Sequence, residues 1–400
     1  MRSALHLAFR HALAHPIRTI VLATSMAAAI AVPLIASRVL GAYDQAMRAR
    51  AVSTPMVVGP AASRFEVLFT ALNFRAAELP PIPARLADEL VNGAGPRSSR
   101  LDVIAVPLHV RAKVRGRPMV ATSPEYFEFR GLRATTGELP LFMGDAVLGA
   151  VAARELGLGA GDSVYTDPFD AFSIAAPSSI ELSITGVLAP TGSADDYAIF
   201  TGLPTAWIVE GLLHGHDDVD DMDRDHEVPV MAEDDERVVV DPSLIPDQRV
   251  DAEALDRYHA HGDLDDAPIS AIILIPADEK AATIIRSRAN ATPAMQAIVP
   301  STVFEELLGF AVRIKRVIDA LALVLGACTV LLVGLVTGLT ARARADEFRT
   351  LHHLGAPRRV GLTVIGAELF GTLLAAAAGA WGLAELAAAV AARVFASGAG

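Results

Sequence analysis

The chain has 400 residues, 52% of them hydrophobic and 20% charged, with a formal net charge of −12 at neutral pH. That apolar fraction is too high for an ordinary soluble enzyme and the charged fraction excludes a bundle lying wholly in lipid, so two environments are implied. A net negative chain is also a poor nucleic-acid binder, because phosphate affinity needs clustered Lys and Arg.

The first 18 residues carry Arg2, Arg10 and Arg18, and then no charged side chain occurs from Thr19 to Ser37. At about 1.5 Å of rise per residue such a run crosses a hydrocarbon layer about 30 Å thick, and a helix satisfies its own backbone there. A cleaved signal peptide is the rival reading. Against it stand the length of the apolar run and Arg38, which follows without a small-residue cleavage box. A retained span over 19–41 is expected, with the basic segment 1–18 cytoplasmic by the positive-inside rule.

Residues 42–301 read as mixed strands and helices forming one extracytoplasmic domain. Strands are predicted for Val103–Val114, Ile180–Leu188 and Ile269–Ile275, and helices for Ala84–Asn92, Val147–Leu156 and, behind the capping residue Asp278, Glu279–Ala289. Gly157, Gly161 and Asp162 are turn formers, and Gly186 would permit a bulge or close approach. Between Gly211 and Asp266 an insertion holds 19 acidic residues against 4 Arg, a balance of −15, so one segment carries the acidity. His214, His216, Asp217 and His226 supply imidazole and carboxylate of the kind that zinc takes. Their spacing matches no metal motif, and a solvated, self-repelling loop is the other reading. The single cysteine, Cys328, lies in an apolar run, which excludes an internal disulfide and a cysteine zinc site. No nucleophile elbow or H-E-x-x-H occurs, and His109, His259 and His261 show no acid and nucleophile partners in sequence.

Helix is predicted again from Thr302 to Asp319, as a stalk entering a second span at 320–341. A third span at 360–384 contains one charge, Glu368, and 385–400 reads as an interfacial segment; a hairpin hinged at Gly379–Gly382 is the alternative. Gly334 and Gly338, and the row of Ala367, Gly371, Ala375 and Gly379, are small-residue surfaces of the type that lets helices approach in lipid, so a homodimer or a heterodimer is expected. The link 342–359 is rich in Arg and so cytoplasmic. In it Phe348, Leu351 and Leu354 repeat at spacings of three, Gly355 ends the helix and Pro357 prevents its continuation. No phosphate-binding loop of the G-x-x-x-x-G-K-[ST] kind is present.

Three phrases carry a resemblance. Ser123–Leu132 followed by Gly137, Ala146–Asp162 and Ile184–Gly192 are similar, in that order, to the extracytoplasmic domain of the MacB and FtsX type permeases of ABC transporters. The link Arg344–Arg359 resembles that family's coupling helix. The resemblance implies an α+β chain in which transmembrane helices bracket a large mixed domain of the MacB periplasmic core type. It implies a permease subunit of the bacterial inner membrane that is not itself an enzyme. ATP would be used by a separate cytoplasmic ATPase subunit touching Arg344, Glu347, Phe348, Leu351, Leu354, Gly355, Arg358 and Arg359, and force would pass to the outer domain for export or substrate release, with a periplasmic protein as a further partner. The family usually has a fourth span, and here three are found. Around Trp207–His216 the chain resembles permeases found beside zinc-uptake proteins, which keeps open a different function, a membrane-tethered metal-binding or sensor domain.

Overall fold

The computed structural model describes residues 6, 9, 10 and 13–396, apart from 77, 94–99, 169–178, 216–229, 235–236, 241–247, 251–257, 261–262, 356 and 358. The chain is mixed α+β and divides into two units, residues 1–46 with 305–394, and residues 47–304 with 395–400.

Among the described residues the first unit contains three helices long and apolar enough to cross a membrane. Helix α1 spans Pro16–Val52 and holds Pro33 in its interior. In the second unit follow α2 (Arg64–Asn73), α3 (Arg85–Asn92), α4 (Pro124–Arg130), α5 (Ala150–Leu156), α6 (Leu203–Val209) and α7 (Glu279–Ala291). Helix α8 (Pro300–Ala343), the short α9 (Ala345–His353) and α10 (Val360–Ala396) complete the series. The stalk and second span are thus one helix, and α10 runs through Gly379 and Gly382 without a hairpin. Helix α1 passes the unit boundary at residue 46 and α8 at residue 304, each unbroken.

The second unit is built on a mixed sheet. Its main path uses β1 (Met56–Pro60), β2 (Val103–His109), β3 (Arg117–Thr122), β4 (Asp145–Leu148), β5 (Ile180–Leu188), β6 (Ile199–Gly202), β7 (Gln248–Arg249), β8 (Ala271–Pro276) and β9 (Met295–Ile298). Their spatial order is β7-β5-β4-β6-β3-β2-β8-β1-β9. Neighbours β7/β5, β5/β4 and β6/β3 are parallel and the remaining pairs antiparallel. Strand β5 alternates as its sequence predicts, burying Ile180, Leu182, Ile184 and Leu188 while Glu181 and Ser183 stay partly exposed. Against β5 lies a short strand, Ala134–Gly137, at an irregularity in register. The backbones meet so closely there that a Cβ on Gly186 would stand 2.5 Å from the Glu138 carbonyl oxygen, and Gly137 takes φ +71°. Only glycine fits both positions.

Two segments fold differently from their sequence expectation. Val147–Leu156 is not one helix: Asp145–Leu148 is a strand with Ala146, Val147 and Leu148 fully buried, and α5 starts only after the extended Gly149. A strand covered on both faces loses its alternation and reads as a plain apolar run. The stretch Val103–Val114 breaks after His109. Lys113–Val114 then turns back onto β3 through Arg115 and Gly116, at φ +48° and +76°, and the Asp167 carboxylate accepts both of their amides at 2.8 and 2.7 Å. A smaller departure is Ser270, which interrupts Ile269–Ile275.

Candidate functional site

The link between the second and third candidate spans folds as α9 followed by a tight stop. Asp346 and Glu347 lie in its first turn and His352 and His353 in its last, the polarity that a helix dipole favours. Arg344 bonds Glu347 and Arg349 bonds Asp346, both at 3.0 Å, so the charged face is tied along the helix. The Gly355 amide reaches the His352 carbonyl at 3.0 Å while Gly355 takes φ +92°, a left-handed ending that no β-branched residue would tolerate. Leu354 is 79% exposed, a large apolar side chain offered beside charged ones. Phe348 and Leu351 fall within α9, Arg359 just precedes α10, and Arg358 lies outside the described residues.

A polar cluster joins the three long helices near the same end. Arg18 of α1 forms an ion pair with Glu368 of α10 and donates to the Thr340 hydroxyl of α8 at 3.2 Å. A cavity between the helices is lined by these groups with Leu22, Val336 and Thr372. Arg18 thus supplies a basic partner for Glu368, the one charge within the third predicted span. The inner seam of α10 continues in steps of four from Val364 through Glu368 to Thr372, Ala376, Ala380 and Ala384. The small-residue row picked from sequence is its neighbour. A Cβ added at Gly334, Gly338, Gly371 or Gly379 would meet nothing within 4 Å, and Ala375 is exposed, so these positions pack nothing within the single chain.

In the second unit the last turn of α1 is held by a buried charge network that sequence alone does not reveal. Arg50 reaches Asp195 through two bonds of 2.6 and 3.0 Å and the Tyr126 hydroxyl at 2.8 Å, and Tyr126 itself donates to Asp195 at 2.6 Å. Arg50 and Asp195 are 8% and 3% exposed. Ser193 adds a bond to Asp195 at 2.8 Å. Burial opposes both charges, but the pair overcomes it: the guanidinium and its hydrogen bonds hold the Asp195 carboxyl down at about 2, and the carboxylate raises Arg50. Burial pushes the Tyr126 hydroxyl up, so it stays a donor. Phe74, Phe127 and Phe200 surround Tyr126, and the Arg50 guanidinium lies 5.1 Å from the Phe74 ring centre. Gly149 allows the Asp195 turn to approach, since a Cβ there would stand 2.2 Å from the Asp195 carbonyl oxygen.

His109 does have an acid partner. Its Nε2 is 2.5 Å from Glu210 Oε1, with both side chains buried, and Ser270 Oγ lies 3.5 Å from Nδ1. Ser270 is 7% exposed and its oxygen also accepts the Val110 amide at 3.0 Å. That arrangement ties β2 to the end of α6 inside the sheet unit. Of the metal candidates, His214 falls in a short strand, Leu213–Gly215, while His216, Asp217 and His226 lie outside the described residues. Among the described residues no group of three or more His, Cys, Asp or Glu is placed to hold a metal ion.

Compared with known proteins, the chain matches no family model and no curated protein sequence. Residues and geometry therefore carry the functional reading.

Proposed function

We propose that this chain is the permease subunit of an ABC-type transporter, in which a separate cytoplasmic ATPase acts on α9 and the motion passes along the spans to an outer domain. The observation that carries this reading is α9 itself: a short amphipathic helix between two candidate spans, pinned by its own ion pairs, presenting Leu354 and ending at the left-handed Gly355. Two further features support it. Helices α1 and α8 leave the membrane unit without interruption, and continuous helices transmit displacement better than loops. Arg50 then fastens the end of α1 to the turn before β6, so a displacement of that helix reaches the sheet. The arginines at 342–359 and at the N-terminus favour the cytoplasm for α9 and the outside for the sheet unit.

The test is co-purification of the full-length tagged chain from its native membranes with an ATPase subunit. Wild type should retain the ATPase. The double substitution Phe348→Asp with Leu351→Asp should lose it while leaving membrane insertion unchanged. Equal recovery of the ATPase by both chains, or none by the wild type, would sink the proposal.

A further inference from the structure

Four charged residues in the helical unit pair across helices in a way that measures a distance. Arg18 pairs with Glu368, and twenty residues further along α1 Arg38 pairs with Glu385, seventeen residues further along α10, at 2.9 Å. Both positions advance together, so α1 and α10 run parallel. The intervals correspond to about 30 Å on α1 and about 26 Å on α10. Helix α8 repeats the interval in the opposite direction. Thr340 meets Arg18, and 21 residues earlier Asp319 accepts from Lys315 at 2.5 Å, an interval of about 32 Å. Between these rims no other charge occurs on the three helices.

The geometry points to a phospholipid bilayer whose hydrocarbon edges lie at the Arg18–Glu368 and Arg38–Glu385 pairs. A hydrocarbon layer is about 30 Å thick, and the three intervals bracket that value. Ion pairs are expensive in hydrocarbon and inexpensive at its edge, where Arg and Lys extend toward headgroups and water. The surface between the rims suits lipid tails: Phe370, Leu374 and Leu383 on α10 and Leu323, Val330 and Leu331 on α8 are all exposed and apolar. Trp381 stands one turn inside the outer rim, where an amphipathic ring belongs.

This placement differs from the one that hydropathy alone gives. The apolar run Val360–Ala384 would centre near Thr372, with Glu368 submerged. The paired rims move the centre to about residue 377, put Val360–Ala367 in the headgroup layer, and make Glu368 a rim group that clasps α1 in register with α10 rather than a carrier of protons or ions. It holds whether or not an ATPase drives the protein.

Spin-label depth measurement on the full-length chain in nanodiscs of phosphatidylethanolamine and phosphatidylglycerol distinguishes the two placements. Single cysteines go into a Cys328→Ala background at lipid-exposed sites of α10: Leu362→Cys, Phe370→Cys, Leu374→Cys, Trp381→Cys and Leu386→Cys. With edges at the ion pairs, the label at 381 lies deeper than that at 370, and 362 is the shallowest of the five. The opposite order, 370 deeper than 381 with 386 shallowest, overturns the assignment. The clasp is tested by Arg18→Glu and Glu368→Arg separately and together: each reversal should lower the melting temperature in nanodiscs by several degrees, and the combined exchange should restore most of the loss. An exchange no better than either single reversal overturns the clasp.

Discussion

At the scale of single residues the molecule is governed by charges that burial would forbid if they were unpaired. Arg50 and Asp195 bond each other through two contacts and Tyr126 and Ser193 add further bonds, leaving Arg50 Nε without a partner, and together these bonds offset the desolvation of the two ions. Removing one partner is a different matter. Arg50→Ala should cost about 3–5 kcal/mol by leaving a buried carboxylate unpaired, whereas Arg50→Met combined with Asp195→Leu should recover most of that loss. Urea unfolding of the full-length protein in detergent micelles measures both. Asp195 also predicts an acid response. Its carboxyl is held at about 2 in the folded chain, below the ordinary value near 3.9, so its contribution is complete above about pH 4 and disappears as pH falls through about 2. On the order of 2 kcal/mol should be lost across that window, and Asp195→Asn should show no such step.

Among elements, legibility followed the strength of the local constraint. The spans were readable because hydrocarbon demands an uninterrupted apolar run, and β5 because one face of it is buried and the other is not. Helix α7 was readable from its cap: Asp278 accepts the Ala281 amide at 2.6 Å. Asp278→Ala should therefore cost about 1 kcal/mol, seen as faster amide exchange over Glu279–Ala291 with β9 little changed. A misreading arose where composition is uniform: Asp145–Leu148 is enclosed on both faces and so reads as a plain apolar run. In α10 the buried seam lies one residue on from the small-residue row, and with Ala and Gly on adjacent faces the sequence does not tell the two apart. Arg50 and Asp195 are 145 positions apart, and no local signal couples them. Of the candidate site, the helical link and its Gly355 stop were readable, while the Arg18 partner of Glu368 needed three dimensions.

For the whole molecule the proposed orientation makes a direct prediction. In a Cys328→Ala background, Leu354→Cys should react with a membrane-impermeant maleimide only in inside-out vesicles, and Tyr165→Cys, on the partly exposed end of the strand Ser163–Tyr165, only in right-side-out ones. Labelling of both from the same side would remove the outer-domain reading. Pro33 adds a consequence of its own. Lacking an amide hydrogen, it leaves the carbonyl four residues earlier, on Ala29, without its usual helical donor, and the bilayer proposed above would offer no water in exchange. Under lateral pressure or torque α1 should yield at that point before any other, and Pro33→Ala would turn a hinged lever into a stiff one.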